Sequence, residues 1–262
     1  MAFFNCNFHS DTLGIACSMN VIVPQQSSTQ IGMVSKGGRK TYPVLYLLHG
    51  LSDDHTIWAR RTSIERYVAN MNLIVVMPNT HRGFYTDMAA GAKYWTFLSE
   101  ELPAVVKGFF PVSGRREDTF AAGLSMGGYG ALKLGLRCPE KFAAVAGLSS
   151  VTDIGEFVKL DTRGSEFTLE MLRIFGPATK VKGSENDLMH LASKLAKSKQ
   201  PQPAFFQCCG TEDFLYQDNI KFRNHLKKLK LKLHYQEAPG DHNWGFWDQY
   251  IQDVLKWLPL QK

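Results

Sequence analysis

The chain has 262 residues, 44% of them apolar and 21% charged, which suits one large globular domain with a substantial core and excludes a disordered or fibrous protein. No stretch is long and apolar enough to span a bilayer, and the N-terminus MAFFNCNFHSD lacks the basic and apolar regions of a secretion signal. Five cysteines, an odd number without framework or zinc spacing, point to a cytoplasmic setting and away from a structural metal.

The net charge of +6 sits largely in Lys221 to Lys232, where basic and apolar residues alternate at helical spacing. A solvated helix face accounts for this better than a nucleic-acid patch, because no nucleic-acid motif accompanies it.

In chain order, Ala2 to Pro24 reads as two extended strands around a turn near Ser10-Asp11, an antiparallel edge hairpin. Gln25 to Lys40 is a polar loop. Pro43 to Leu48 is a continuous apolar run of the kind buried on both faces of a parallel sheet, and it ends in His49-Gly50-Leu51. Helical signals span Thr56 to Asn70, and Leu73 to Met77 is another buried strand. After a loop from Asn79 to Lys93, a helix begins near Tyr94 and meets Pro103 at a kink or a second helical turn. Strands follow at Thr119 to Ala122, Ala143 to Leu148, Ala204 to Cys208 and Lys232 to Ala238. Helices are expected from the elbow described below through Leu136, over Asp218 to Lys228 and over Trp244 to Leu258. Cys208 and Cys209, neighbours on a strand, should face opposite sides rather than pair. Apolar strands alternating with helices predict an α/β fold, a mainly parallel sheet covered on both faces, with no linker that would divide it.

Val151 to Gln202 interrupts this rhythm with about fifty residues between two strands, rich in Phe157, Leu160, Phe167, Leu172 and Phe175. It is either extra core or a cap over a site; cap is the favoured reading, because loops after strand C-termini border the ligand crevice of open α/β sheets. Within it, Ser184-Glu185-Asn186-Asp187 resembles a capping box opening a helix with Leu188, Leu191, Ala192 and Leu195 on one face.

The chemistry centres on Gly123-Leu124-Ser125-Met126-Gly127, a G-x-S-x-G pattern between a strand and a helix. Alone, the pattern could be a glycine-rich turn with an idle serine. In this setting it is a nucleophile elbow, with Ser125 at the tip and the Met126 amide ready to bind an oxyanion. The following helix carries Gly128, Gly130, Ala131 and Gly135, so it can lie close to a sheet, with Lys133 and Arg137 expected at its solvent edge. A triad on this fold runs nucleophile, acid, histidine. Gly210-Thr211-Glu212-Asp213 and Gly240-Asp241-His242 follow later strands and supply Asp213 and His242. Glu212, Asp218 and Asp153 compete for the acid, and Asp241 reads as a turn residue. Leu51, after the His49-Gly50 turn, supplies the second oxyanion amide, with His49 as its support. Trp58, Phe84 and Tyr85 are the expected pocket walls. No H-E-x-x-H, P-loop or G-x-G-x-x-G is present, so no metal or cofactor is called for.

PVLYLLHG, LIVVMPNT, the EELP of Glu100 to Pro103, AGLSMGGYGALKL, CGTEDFLY and GDHNW together resemble the esterase D and tributyrin esterase group of α/β-hydrolases. That group includes S-formylglutathione hydrolases, some feruloyl and acetyl esterases and, more distantly, the antigen 85 acyltransferases. The likeness is greatest to tributyrin esterases of lactic acid bacteria and streptococci. It implies Ser125, Asp213 and His242 as triad, Leu51 and Met126 as oxyanion donors, and short acyl chains. Formylglutathione hydrolases usually carry a cysteine after the HG turn, whereas Leu51-Ser52-Asp53-Asp54 has none. The expectation is therefore a serine carboxylesterase acting on a small-molecule ester, without nucleic-acid or membrane partners, and with self-association left open. An acyltransferase, or an S-formylglutathione, feruloyl or acetyl ester hydrolase, on the same triad is the alternative, and a non-catalytic binding module is the remote one.

Overall fold

Five short apolar runs and the mixed segment Leu233–Ala238 become neighbouring parallel strands in a computed structural model, which describes residues 1–32, 37–159 and 165–260. The strands are β1 (Ala2–Ser10), β2 (Ile15–Val23), β3 (Val44–Leu48), β4 (Ile74–Pro78), β5 (Thr119–Leu124), β6 (Ala144–Leu148), β7 (Ala204–Gly210) and β8 (Leu233–Ala238). They form one sheet in the order β1-β2-β4-β3-β5-β6-β7-β8. The β1–β2 hairpin is antiparallel and joins through β2 to β4; the pairs from β4 to β8 are parallel. Glu101 holds the hairpin turn, accepting from the Ser10 hydroxyl at 2.6 Å and the Asp11 amide at 2.7 Å.

Side chains alternate across the sheet. Val44, Tyr46, Leu48 and Ala121 enter one core, and Leu45, Leu47, Phe120 and Ala122 the other. The second core is covered by α1 (Ile57–Arg61), α2 (Ile64–Val68) and α10 (Trp244–Trp257). The first lies under a helical stretch that starts with α3 (Tyr94–Thr96) and ends in α4 (Leu102–Phe109). Also on that face are α5 (Met126–Arg137), α6 (Ile154–Lys159), α7 (Ser165–Phe175), α8 (Leu188–Lys197) and α9 (Tyr216–Lys228). Leu160, expected in the apolar segment after β6, lies outside the described residues, as does 33–36 of the polar loop. Among the described residues no helix is long and apolar enough to cross a membrane.

Three local expectations are corrected. Thr56 to Asn70 is two short helices, because the Thr62 hydroxyl bonds the Trp58 carbonyl and the Ile64 amide and breaks the run between them. The helix expected from Tyr94 does begin there and passes through a π-helical segment, Phe97–Glu101, and Pro103 lies in the first turn of the helix that follows, the second of its two expected placements. Proline has no N–H for the Ser99 carbonyl, which instead accepts from Lys141 Nζ at 2.9 Å. The cap of α8 is Asp187, whose carboxylate accepts from the His190 amide; Ser184 turns back to the Val181 carbonyl.

The third correction concerns Lys133, which is not at a solvent edge. It is fully buried, and the side chain of Arg137 is only 23% exposed. Helix α5 has the sheet on one side and α8 with its preceding loop on the other, so Met126 to Leu136 are all buried. Lys133 donates instead to Tyr85 O, Thr86 Oγ1 and Asn186 Oδ1 at 3.2, 2.8 and 2.8 Å.

The β5–α5 turn explains the paired glycines. A Cβ on Gly123 would come within 2.4 Å of the Gly127 backbone, and one on Gly127 within 2.4 Å of the Leu48 carbonyl oxygen. Both contacts are with backbone, which cannot swing away. Gly127→Ala is therefore expected to destabilise the protein by about 3 kcal/mol, lowering Tm by roughly 6–12 °C. A thermal melt checks this, and an unchanged Tm would show that the turn can relax.

Candidate active site

Parallel strands all end at one edge, so loops distant in sequence meet there. Ser125 stands at the end of β5 with φ 52° and ψ −117°, in the positive-φ region that a serine rarely occupies. The strain is held by backbone bonds: the Ser125 amide donates to Leu148 O at 2.8 Å, and the Tyr129 and Val151 amides donate to Ser125 O. Met126 is the first residue of α5, where an amide has no acceptor within its own helix.

His242 comes from the loop between β8 and α10. Its Nε2 lies 3.1 Å from Ser125 Oγ and its Nδ1 2.8 Å from Asp213 Oδ2. Asp213, after β7, has a fully buried side chain, and its second oxygen accepts from the Leu215 amide at 2.8 Å. A buried carboxylate on Nδ1 fixes the tautomer that leaves Nε2 free to accept the serine proton. The imidazole sits between Phe214, centroid 4.6 Å away, and Trp247, 4.9 Å away. The competing acids turn elsewhere. Glu212 accepts from the Gly240 amide, Asp218 pairs with Lys221, and Asp153 accepts from the Glu156 amide. Asp241 accepts from the His242 amide at the turn.

The Ser125 line opens into a cavity of about 980 Å³. Gly50, Leu51 and Met126 border it beside the serine. Phe84, Val151, Phe157 and Phe167 form an apolar wall, Trp244 and Trp247 a second one, and Asp53, Arg82, Glu166, Glu170 and Arg173 a charged rim. Arg82 Nε and Nη2 donate to the two oxygens of Glu170 at 2.5 and 2.6 Å, joining the loop after β4 to α7. Of the three expected walls only Phe84 borders this space. Trp58 is buried with its indole N–H on Leu48 O at 3.0 Å and its ring edge against Trp244. Tyr85 is buried with its hydroxyl on His49 O at 2.9 Å. Both stand behind the cavity. Phe214 and Trp244 are legible as sequence neighbours of Asp213 and His242, whereas Phe157, Phe167 and the Arg82–Glu170 pair carry no motif.

His49 supports the turn that carries Leu51. Its Nδ1 bonds Gly50 O at 2.7 Å and its Nε2 accepts from the Thr80 amide at 3.1 Å. Nε2 is therefore unprotonated and Nδ1 is the donor. Burial lowers the imidazole from 6.5 to about 4. Among the described residues no group of three or more His, Cys, Asp or Glu side chains could hold a metal ion.

An eight-stranded, mainly parallel sheet with a serine, a histidine and a buried aspartate at its strand ends defines a serine hydrolase of the α/β-hydrolase fold. The chain belongs to the Esterase family, whose sequence profile, described as putative esterase, matches residues 13–258. It is 32% identical over 264 residues to an acetyl esterase of Caldicellulosiruptor saccharolyticus, covering 98% of both chains. Among solved structures it is similar to the fluorophosphonate-binding serine hydrolase FphF of Staphylococcus aureus, with 35% identity, 100% and 99% coverage and a TM-score of 0.88. It is also similar to the S-formylglutathione hydrolase FrmB of the same organism, with 36% identity, 98% coverage of each chain and a TM-score of 0.85.

The neutral His49 links stability to pH. Between about 6.5 and 4 the unfolded imidazole binds a proton that the folded one refuses, so stability is complete above this window and falls as pH drops through it. Relative to His49→Gln, the wild type should lose on the order of 2 kcal/mol between pH 7 and 4.5. Urea unfolding of both proteins at the two pH values measures this; a pH-independent difference would mean that His49 is not the linked group.

Proposed function

We propose that the protein is a carboxylesterase of the esterase D and tributyrin esterase group that hydrolyses short-chain acyl esters of small molecules. The observation that carries this reading is the Ser125–His242–Asp213 line, with spacings of 3.1 and 2.8 Å, opening into an apolar-walled cavity. Ser125 Oγ attacks the ester carbonyl while His242 Nε2 takes its proton. The carbonyl oxygen becomes an oxyanion held by the Leu51 and Met126 amides. Collapse expels the alcohol, which takes the proton from His242, and leaves an acyl-enzyme. Water, deprotonated by His242, then releases the acid and restores Ser125. Asp213 orients the imidazole and stabilises its charged form.

The segment between β6 and β7 acts as a cap in this scheme. Phe157 and Phe167 face the acyl group together with Phe84, and the charged rim meets the alcohol half. Two of the named relatives are an acetyl esterase and an S-formylglutathione hydrolase, names that both specify small acyl groups, which supports a short-chain preference.

Ser125→Ala should lower kcat at least 10⁴-fold, by order of magnitude, while leaving the melting temperature within a few degrees. Substantial activity in a folded variant would remove Ser125 from its role. Across p-nitrophenyl esters from acetate to decanoate, kcat/KM should peak at the short end, and a peak at decanoate would overturn the substrate class.

A further inference from the structure

Lys133 takes no direct part in the Ser125 chemistry, yet its ammonium is fully buried. Its three hydrogen-bond acceptors, Tyr85 O, Thr86 Oγ1 and Asn186 Oδ1, are all neutral. The rings of Trp95 and Tyr129 lie 4.9 and 5.3 Å from Nζ and add cation–π attraction. Burying an ammonium without a carboxylate on it is costly, so a helix face with this arrangement is a poor device for stability alone.

What the ammonium grips is unusual backbone. Phe84 and Tyr85 have consecutive φ values of 47° and 48°. Aromatic side chains strongly disfavour this region, and two in succession need outside support. Lys133 supplies it from below, on Tyr85 O, and through Thr86, whose hydroxyl also donates to Phe84 O at 2.9 Å. The two strained residues reach the site by different routes. Phe84 is a wall of the cavity and packs on Phe157 and Phe175. Tyr85 donates its hydroxyl to the His49 carbonyl at 2.9 Å, at the start of the His49-Gly50-Leu51 turn.

We propose that Lys133 and Tyr85 are positioning residues for ester hydrolysis. The lysine locks the Phe84-Tyr85 turn, and the Tyr85 hydroxyl fixes the His49 carbonyl so that the Leu51 amide meets the oxyanion. This rests on the reading of Ser125 as an esterase nucleophile. It assigns a kinetic role to two residues that do not touch substrate.

The test is steady-state hydrolysis of p-nitrophenyl acetate by wild type, Lys133→Met, Tyr85→Phe and the double variant, each with a thermal melt. Inhibition by a trifluoromethyl ketone, which forms a stable oxyanion on a catalytic serine, is measured alongside. Each single variant should lower kcat about 10- to 100-fold with KM changed less than about threefold, and should weaken the ketone by a similar factor. The double variant should be little worse than the poorer single one, because both cut the same path. Lys133→Met will also lower Tm. If it does not fold, Tyr85→Phe, which keeps the ring and removes only the hydroxyl, decides the matter. Folded variants with wild-type kcat and ketone affinity, or losses confined to Tm or KM, would overturn the proposal. A wild type without esterase activity would instead defeat the reading of Ser125, and this inference with it.

Discussion

The fold is built around one unfavourable backbone conformation. Ser125 at φ 52° and ψ −117° costs about 1–3 kcal/mol, and the surrounding residues are arranged to hold it there. Gly123 and Gly127 allow β5 and α5 to fold back on each other, with a would-be Cβ at either position meeting backbone at 2.4 Å. The same closeness runs down the helix, where a Cβ on Gly135 would strike Val145 at 2.6 Å. A helix this near the sheet needs small residues and gives up helix propensity for them. The return is a hydroxyl held at the strand end, where the loops after β3, β7 and β8 bring Leu51, Asp213 and His242.

The burial of α5 has a second consequence. With the sheet beneath and α8 above, the helix has no solvent face, and its one lysine must find partners inside the protein. It finds them in the loop after β4 and in Asn186, so the elbow helix, the strained Phe84-Tyr85 turn and the segment after β6 are joined by one ammonium. The Arg82–Glu170 pair makes a second junction between that loop and α7 at the cavity rim. The loop after β4 thus supports the His49-Gly50-Leu51 turn through Tyr85 and supplies Phe84 to the apolar wall of the cavity.

Much of this arrangement is legible in the amino-acid sequence, for identifiable reasons. Buried parallel strands are short apolar runs, and three such runs lead into Gly50, Ser125 and Asp213, while the mixed, partly exposed strand Leu233–Ala238 leads into His242. Strand-end residues of a parallel sheet share an edge, so order along the chain is enough to bring them together. Side-chain direction inside irregular loops is not legible. Trp58 and Tyr85 flank the pocket in sequence, but an indole N–H bound to Leu48 O and a hydroxyl bound to His49 O turn them inward. Nothing local in the sequence announces the positive φ at Phe84 and Tyr85. Lys133 and Arg137 have the spacing of a solvent edge, and the lysine is hidden by segments distant in sequence on both sides, Tyr85, Thr86 and Trp95 before it and Asn186 after it. Phe157 and Phe167 are visible as apolar residues, but their approach to Ser125 depends on how that segment folds over the strand ends.

The proposed mechanism depends on Ser125 acting as a nucleophile whose oxyanion is received by two backbone amides from separate loops. A crystal structure of the protein after reaction with an alkyl fluorophosphonate tests it most directly. Phosphorus should be bonded to Ser125 Oγ, with one phosphonyl oxygen about 2.7–3.1 Å from the amide nitrogens of both Leu51 and Met126. Phosphorus on another side chain, or a phosphonyl oxygen turned away from those amides toward solvent, would contradict it.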